Sequence, residues 1–233
     1  MDFSEITQSI QNNKKEFTIT ILEATQALCV VIFVAGRGGS PVRHLPLLRV
    51  VAQHGCTVIA PHFEMLPSLT PTKEELNARI EQLETVLRDY SHSHQTLIGL
   101  GHSIGATLLL ALAGGKALTF SGHRIGPHSI WKFERLALLA PSVDFFLHPG
   151  ALQTVNTQIY LRNGRKDTVT PPSKALLLKQ ILEKQGHVDF LLDEEAGHFS
   201  YMDELPPQIE DSQSNREVFL VDLARNIAQF VTT

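Results

Sequence analysis

The sequence predicts a single α/β domain, residues 1–233, with a doubly wound, mostly parallel sheet and helices on both faces. Strand-like apolar runs alternate with helical patterns along the chain, which is typical of repeated βαβ units. The central runs are apolar throughout instead of alternating, as strands covered by helices on both sides require. The 233 residues are enough for one such domain with a substantial core.

The predicted strands are short apolar runs. They follow one another in chain order at residues 18–22, 28–34, 57–60, 95–100, 135–139, 158–162 and 188–192. Residues 1–16 are mostly polar and precede the first run, so we interpret them as an N-terminal extension of the domain.

Capping and periodicity signals predict the helices between these strands. Thr72 followed by Glu75 is a capping-box pattern, and the apolar positions after it lie on one stripe: Leu76, Ile80, Leu83 and Leu87. Residues 104–113 are apolar all round and predict a buried helix. Ser173 follows a Pro-Pro pair and opens a predicted helix over 174–185, which Gly186 would end. A closing amphipathic helix is indicated by Phe219, Leu223, Ile227 and Phe230.

Two segments interrupt the alternation of strands and helices. Residues 120–132 are rich in glycine and histidine, and residues 202–215 carry a Pro-Pro pair among acidic and amide side chains. Excursions near the carboxyl ends of strands are where α/β enzymes place substrate-binding elements. Residues 120–132 are therefore a candidate cap or substrate loop, with a plain surface connection as the alternative. For residues 202–215 the surface connection is favoured.

The charge balance limits the partners that the chain can have. A net charge of −4, with scattered lysine and arginine, argues against nucleic acid or an anionic membrane surface as a partner. The longest apolar stretch near the N-terminus, residues 27–35, is too short to cross a bilayer. Residues 1–17 are polar and lack the apolar core of a signal peptide, so we expect a cytoplasmic location and no membrane span. A homodimer is left open.

The chain has two cysteines, and no CxxC motif links them. Cys29 lies in an apolar strand-like run, and Cys56 lies just before another such run. Isolated cysteines in such positions are most often buried and reduced, so we expect two reduced thiols and disfavour a redox or metal role.

Residues 101–105, Gly-His-Ser-Ile-Gly, form the most informative motif of the chain. A predicted strand runs into the motif and the apolar helix follows it directly, which is the setting that a nucleophile elbow requires. The turn is so sharp that only small residues fit two positions on either side of the serine, and Gly101 and Gly105 supply that space. We therefore predict Ser103 as a nucleophile at the tip of the turn, with an exposed hydroxyl. The alternative is a tight turn whose glycines serve packing alone.

A serine nucleophile needs a base, and the base needs a carboxylate, in the chain order serine, acid, histidine for this kind of fold. Asp167 follows the strand at 158–162, and His198 follows the strand at 188–192, so we predict them as acid and general base. Asp144 follows the preceding strand and is the alternative acid. The acidic residues 193–195 lie too close to His198 in sequence to be comfortable partners, and a solvated turn is expected for them.

The tetrahedral intermediate of acyl transfer needs backbone N–H donors. The first should be Ile104, directly after the nucleophile at the positive end of its helix. The second should come from the Gly-rich loop at 36–39, with the Arg37 N–H as the candidate and a flexible turn as the alternative. This loop matches neither phosphate-binding glycine pattern.

The eleven histidines raise the question of a metal. His92 and His94 lie in a polar loop without an HExxH motif or a carboxylate at ligand spacing, so we expect neither a metal nor a cofactor. His62, after the strand at 57–60, could line the mouth of the site or serve packing.

These stretches together resemble the α/β-hydrolase superfamily over residues 17–231. The residues that carry the resemblance are 34–40, 54–61, 101–106 and 196–200, and within the superfamily they look like the dienelactone hydrolase-like and platelet-activating-factor acetylhydrolase/chlorophyllase-like group. The resemblance implies a serine hydrolase without a cofactor. Dienelactone hydrolases use a cysteine nucleophile where this chain has Ser103, which favours ordinary ester cleavage.

The expected function is cleavage of a small carboxylic ester through an acyl-enzyme. Thioesterase, acyltransferase or peptidase activity on the same three residues is the alternative within this chemistry. A binding module that kept the fold without catalysis is the alternative from another class.

Overall fold

A mostly parallel sheet of eight strands runs through the middle of the protein. The computed structural model describes residues 1–12, 15–91 and 96–233. The strands are β1 Phe3–Asn12, β2 Lys15–Ala24, β3 Cys29–Val34, β4 Cys56–Pro61, β5 Thr96–His102, β6 Ala117–Leu118, β7 Arg124–Ile125, β8 Arg135–Leu139, β9 Gln158–Gly164 and β10 Val188–Asp193. The helices are α1 Leu45–Gln53, α2 Lys73–Tyr90, α3 Ile104–Leu112, α4 Pro172–Leu182 and α5 Arg216–Thr232.

The strand order confirms the predicted fold class. It is β1-β2-β4-β3-β5-β8-β9-β10, and every neighbouring pair from β4 to β10 is parallel. The β1–β2 and β2–β4 pairs are antiparallel. The short strands β6 and β7 form a separate antiparallel pair. In a parallel sheet of this kind, the loops that follow the strands gather at one edge, and ligands bind there.

Helices cover both faces of the sheet and form two cores. Along β3, Val30, Ile32 and Val34 pack in the core shared with α2, α3 and α4. The alternate residues Val31 and Phe33 pack in the core shared with α1 and α5. Because successive side chains of a strand point to opposite faces, a strand buried on both sides must be apolar throughout, as β3 is.

The predicted strands all occur, with ends that differ by a few residues. Strand β1 was not predicted, because its polar residues 3–12 lack an apolar pattern. It lies at the edge of the sheet, pairs only with β2 and keeps most of its side chains exposed. Most of the predicted extension 1–16 is therefore an edge strand. Helix α1 was also missed.

The capping box that opens α2 is confirmed. The Thr72 side chain accepts a hydrogen bond from the Glu75 N–H at 3.2 Å, and the Glu75 carboxylate accepts one from the Thr72 N–H at 2.7 Å. Helix α4 begins at Pro172 and not after Ser173, because proline fits the first helical position, where no N–H is needed. No helix in the described part of the chain is both long and apolar enough to cross a bilayer.

The expectation of two reduced cysteines is wrong in this structure. Cys29 of β3 and Cys56 of β4 are directly paired in register, with 4.8 Å between their Cα atoms, and they form a disulfide. The sequence pattern could not reveal this pairing, because it depends on the register of two neighbouring strands. The bond closes a loop with a sequence separation of 27 residues.

Reduction of this disulfide should lower the free energy of unfolding by about 3 kcal/mol, because the open loop restores chain entropy to the unfolded state. Urea unfolding with and without dithiothreitol measures the change. The Cys29→Ala/Cys56→Ala double variant is the control and should not respond to the reductant. If the unreduced, denatured protein reacts with two equivalents of an alkylating thiol reagent, the pair is not bonded.

Candidate active site

The turn at Ser103 joins β5 directly to α3 and has the strained backbone of a nucleophile elbow. Ser103 adopts φ 57° and ψ −125°, a conformation that non-glycine residues rarely adopt. A Cβ atom on Gly105 would overlap the Val34 carbonyl oxygen, and one on Gly101 would lie 2.7 Å from the Ala106 nitrogen. The two glycines are therefore required by the close approach of α3 to β3 and β5.

Hydrogen bonds link Ser103 to His198 and His198 to Asp167. The three residues follow the carboxyl ends of β5, β10 and β9. His198 Nε2 is 3.0 Å from Ser103 Oγ, and His198 Nδ1 is 2.9 Å from Asp167 Oδ2. The structure thus brings together the three residues that the sequence pattern selected. A neutral imidazole that donates from Nδ1 to the carboxylate has Nε2 free to accept the serine proton.

Both oxygens of the Asp167 carboxylate accept hydrogen bonds. Its Oδ1 accepts hydrogen bonds from the Val169 N–H at 2.8 Å and the Thr170 N–H at 2.7 Å. Its Oδ2 accepts one from the Thr170 hydroxyl at 2.7 Å in addition to its contact with His198. Thr170 was not predicted, although Asp followed by Thr three residues later is a recognisable side-chain turn.

Ser103 is buried as a residue, whereas the sequence predicted an exposed position at the tip of the turn. Ser103 is 7% exposed, and His198 and Asp167 are also buried. The reason is the loop after β3, which covers the turn: a Cβ on Gly36 would lie 3.3 Å from the Ser103 Cβ. Burial lowers the local dielectric constant and strengthens the hydrogen bonds between these groups.

The loop that carries His198 is fixed by several contacts. The His198 carbonyl accepts a hydrogen bond from His102 Nε2 at 3.0 Å, and the Gly197 N–H donates to Ser200 Oγ at 2.8 Å. Tyr201, in the same 3₁₀ turn, donates its hydroxyl proton to Asp193 at 2.8 Å. These contacts join the turn to β5 and to the end of β10.

The prediction of a solvated turn at residues 193–195 is wrong for Asp193. Its carboxylate is nearly buried and forms a two-pronged ion pair with Arg162 of β9, at 2.6 and 2.9 Å. Glu194, by contrast, forms an exposed ion pair with Arg165. Asp193 is buried because Arg162, a partner distant in sequence, lies beside it on the neighbouring strand.

The alternative acid, Asp144, lies apart from His198. Its carboxylate accepts hydrogen bonds from Lys174 Nζ at 2.6 and 2.7 Å. The structure pairs Asp167 with His198 and Asp144 with a lysine of α4.

The two candidate oxyanion donors belong to Ile104, directly after the serine, and to Arg37, in the loop after β3 whose Gly36 lies against the serine. Within the described residues, neither the Arg37 N–H nor the Ile104 N–H donates to a protein acceptor. Ile104 is the first residue of α3, where the helix leaves its N–H groups free. The Arg37 side chain donates to the Leu66 and Pro67 carbonyls.

Two buried histidine rings lie behind His198. The centroids of His44 and His102 are 5.3 Å apart, and those of His102 and His198 are 5.0 Å apart. Burial lowers the pKa of His44 to about 4, helped by the charge of Arg43 and opposed by the backbone of Tyr201. Burial, followed by the neighbouring His198 and His44 rings, holds the pKa of His102 well below its usual value. Both rings are therefore neutral at neutral pH.

The other histidines singled out in the sequence make no contact with the three residues of the candidate site where the structure describes them. His62 packs against β2, with its Nε2 2.8 Å from the Thr20 hydroxyl. His92 and His94 fall outside the described residues. No group of three histidine, cysteine or acidic side chains in the described ranges could hold a metal ion.

The candidate cap, residues 120–132, packs against α2 and the far end of α3. The His128 N–H donates to Glu84 at 2.8 Å, and the Trp131 N–H donates to the Leu112 carbonyl at 2.9 Å. Part of this segment lines a cavity of about 380 Å³ whose lining includes none of Ser103, Asp167 and His198.

Solved esterase structures resemble this chain over almost its whole length. Esterase Pf2001 of Pyrococcus furiosus is 11% identical, with a TM-score of 0.66 over 99% of this chain and 92% of that chain. Thermogutta terrifontis esterase 2, phosphoramylated by tabun, is 12% identical, with a TM-score of 0.67 over 97% and 94%. The carboxylesterase Cest-2923 of Lactobacillus plantarum is 14% identical, with a TM-score of 0.63 over 98% and 97%.

No family model matches the sequence, and no curated protein matches it. At identities this low, the structural likeness is a likeness of fold. The chain has the α/β-hydrolase fold, as the sequence motifs implied.

The buried His44 should make the protein less stable in mild acid. In the unfolded chain this ring takes up a proton near pH 6.5, whereas in the folded protein it does so only near pH 4. The contribution of the neutral His44 ring to the free energy of unfolding is therefore complete above pH 6.5. It is lost as the pH falls from 6.5 towards 4.

The free energy of unfolding of the wild-type protein should fall between pH 7.5 and pH 5.5. In His44→Phe this fall should be smaller by about 1 kcal/mol. Urea unfolding at the two pH values measures this difference. His123→Gln, at an exposed histidine, is the matched control. An unchanged pH dependence in His44→Phe would contradict the assignment of a neutral buried ring.

Proposed function

We propose that this protein is a serine hydrolase that cleaves a small carboxylic ester through an acyl-enzyme intermediate. The observation that carries the proposal is the line of contacts from Ser103 Oγ through the His198 ring to the Asp167 carboxylate, at 3.0 and 2.9 Å. The strained turn at Ser103 adds support, because backbone strain is retained where function requires it.

In the first half of the reaction, Ser103 Oγ attacks the ester carbonyl carbon while His198 Nε2 takes the hydroxyl proton. The resulting tetrahedral intermediate collapses when the bond to the leaving alcohol breaks, and His198 gives its proton to that alcohol. Asp167 holds the ring in the required tautomer and stabilises its positive charge. Thr170, which donates to the same carboxylate, helps to fix its orientation.

In the second half, a water molecule attacks the acyl carbon and gives its proton to His198. The intermediate then releases the acid, and Ser103 recovers its proton from His198. The N–H groups of Arg37 and Ile104 are the proposed donors to the negatively charged oxygen in both halves. The N-terminal end of α3 adds a favourable dipole at that oxygen.

The structural comparisons support an esterase activity over the alternatives, since all three similar structures described above carry esterase or carboxylesterase in their names. A likeness to the dienelactone hydrolase-like and platelet-activating-factor acetylhydrolase/chlorophyllase-like group is a proposal from the sequence motifs alone. Thioesterase, acyltransferase and peptidase activities use the same residues and differ in the leaving group or acceptor.

Substitution Ser103→Ala should abolish turnover of p-nitrophenyl esters and labelling by a fluorophosphonate probe, because both require the activated hydroxyl. The melting temperature should not fall, so lost activity cannot be ascribed to unfolding. Acyl-CoA thioesters and amides, assayed in parallel, separate the related activities. A wild-type protein that neither turns over esters nor takes up the probe would instead be a binding module.

Substitution Asp167→Asn should lower kcat about 10,000-fold, because the amide favours the wrong tautomer of His198. The matched substitution Asp144→Asn should leave kcat within about threefold of wild type, since Asp144 contacts Lys174 instead. Steady-state kinetics of both variants on one ester measures the contrast. A larger loss in Asp144→Asn would reverse the assignment of the acid.

The cytoplasmic location is a further proposal that comes from the sequence alone. The Cys29–Cys56 disulfide weighs against it, because cytosolic thiols are normally kept reduced. A homodimer is likewise a proposal, and light scattering on the purified protein measures the mass in solution.

A further inference from the structure

Arg79 is a buried cation beside the proposed oxyanion loop. It lies on α2, is only 3% exposed, and forms no ion pair with any described carboxylate. Its guanidinium group donates hydrogen bonds to the carbonyls of Gly36 and Arg37, both at 2.9 Å, and of Glu64 at 2.6 Å. The group also lies over the Phe63 ring, 5.0 Å from its centroid.

Such a group is costly to bury. Desolvation lowers the pKa of Arg79 to about 10, so the side chain is still charged at neutral pH. Glu75, one turn earlier on α2, raises this pKa through its negative charge but forms no ion pair with Arg79. A buried charge without an ion-pair partner is usually less favourable for stability than an apolar side chain of similar size. Stability alone therefore does not account for an arginine at this position.

The contacts of Arg79 contribute to the direction in which two peptide groups point. The same two carbonyls also accept backbone hydrogen bonds, Gly36 from the Gly39 N–H at 3.1 Å and Arg37 from the Leu66 N–H at 3.0 Å. The Gly36 carbonyl and the Arg37 N–H belong to one planar peptide, and no peptide bond in the described chain is cis. In a trans peptide the carbonyl and the N–H point in opposite directions. Because the Gly36 carbonyl points at Arg79, the Arg37 N–H points away from it. The contact with the Arg37 carbonyl orients the following peptide, with the Gly38 N–H, in the same way.

The loop held in this way lies against the nucleophile. A Cβ on Gly36 would be 3.3 Å from the Ser103 Cβ. The Arg37 N–H donates to no protein acceptor among the described residues, and because Arg37 is exposed this N–H is accessible to a ligand. Arg79 thus contacts the carbonyl side of the Gly36–Arg37 peptide, and Ser103 lies next to Gly36.

We propose that Arg79 is a positioning residue that holds the Gly36–Arg37 peptide with its N–H directed at the oxyanion formed on the substrate of Ser103. This inference rests on the proposed serine hydrolase function. The charged hydrogen bond to the Gly36 carbonyl also polarises the peptide, which makes the Arg37 N–H a stronger donor. Arg79 touches no reacting atom and acts through the backbone alone.

The competing explanation is that Arg79 only ties two loops together. Its third contact, to the Glu64 carbonyl, does join the loop after β3 to the loop after β4. A role in tying the loops predicts a less stable protein with fewer active molecules. A role in positioning predicts a slower chemical step in each active molecule.

The test compares Arg79→Met, which keeps the length and removes all donors, with Arg79→Lys, which keeps the charge and cannot reach three carbonyls. Arg88→Met, on the same helix, is the control, since the one side-chain hydrogen bond of Arg88 among the described residues goes to the Thr85 hydroxyl. For each variant, kcat is measured per active site titrated with a fluorophosphonate, together with KM and the melting temperature. The affinity for a trifluoromethyl ketone is measured as well, because this inhibitor forms an oxyanion on the serine.

We expect kcat per active site to fall about 100-fold in Arg79→Met with KM nearly unchanged, because the lost interaction is made mainly in the transition state. Trifluoromethyl ketone binding should weaken by a similar factor. Arg79→Lys should lie between Arg79→Met and wild type, and Arg88→Met should match wild type. If Arg79→Met does not fold, Arg79→Lys alone must show the paired loss of kcat and inhibitor affinity.

Two results would overturn the inference in different ways. If wild-type activity depends on Ser103 while the Arg79 variants keep normal kcat and inhibitor affinity per active site, Arg79 has no positioning role and the proposed function stands. If the wild-type protein shows no Ser103-dependent turnover or labelling, the proposed function fails and the inference fails with it.

Discussion

The close packing of α3 against β3 is the constraint on which the rest of the site depends. Gly105 lies so near the Val34 backbone that no side chain fits between them, and this contact forces the chain to turn sharply at Ser103. The same contact places the start of α3 next to the loop that leaves β3. Ser103, the N-terminus of α3 and the Gly36 loop are therefore brought together by one packing requirement, before the hydrogen bonds among Ser103, His198 and Asp167 are considered.

Backbone hydrogen bonds just beyond the ends of the strands fix the loops of neighbouring strands against one another. The Ser103 N–H donates to the Leu139 carbonyl, the Ala140 N–H to the Arg162 carbonyl, and the Arg165 N–H to the Asp193 carbonyl. Each bond fixes the loop after one strand against its neighbour. Residues from β5, β9 and β10 can then meet at short distances, although they are far apart in the sequence. The register of the sheet sets the geometry of the site.

Local signals were sufficient to predict the apolar strands, the capping box of α2, and the three residues that meet at Ser103. Features that depend on distant partners were not predictable in this way. Strand β1 is polar and is a strand because β2 pairs with it. Cys29 and Cys56 are bonded because two strands align, and Asp193 is buried because Arg162 lies opposite. In the sequence, Arg79 has the position of an ordinary polar residue of an amphipathic helix. The fold shows that it is buried against the loop after β3.

The neutral histidines behind His198 favour the proposed proton transfer by remaining uncharged. In the proposed reaction His198 takes the serine proton, and a positive charge then appears on a ring whose centre is 5.0 Å from that of His102. A second charge on that ring would oppose the proton transfer, since two like charges in a buried site repel strongly. Burial keeps His102 neutral, while its Nε2 contact with the His198 carbonyl needs only a neutral N–H. The imidazolium of the proposed reaction therefore has Asp167 as its charged neighbour and neutral rings behind it.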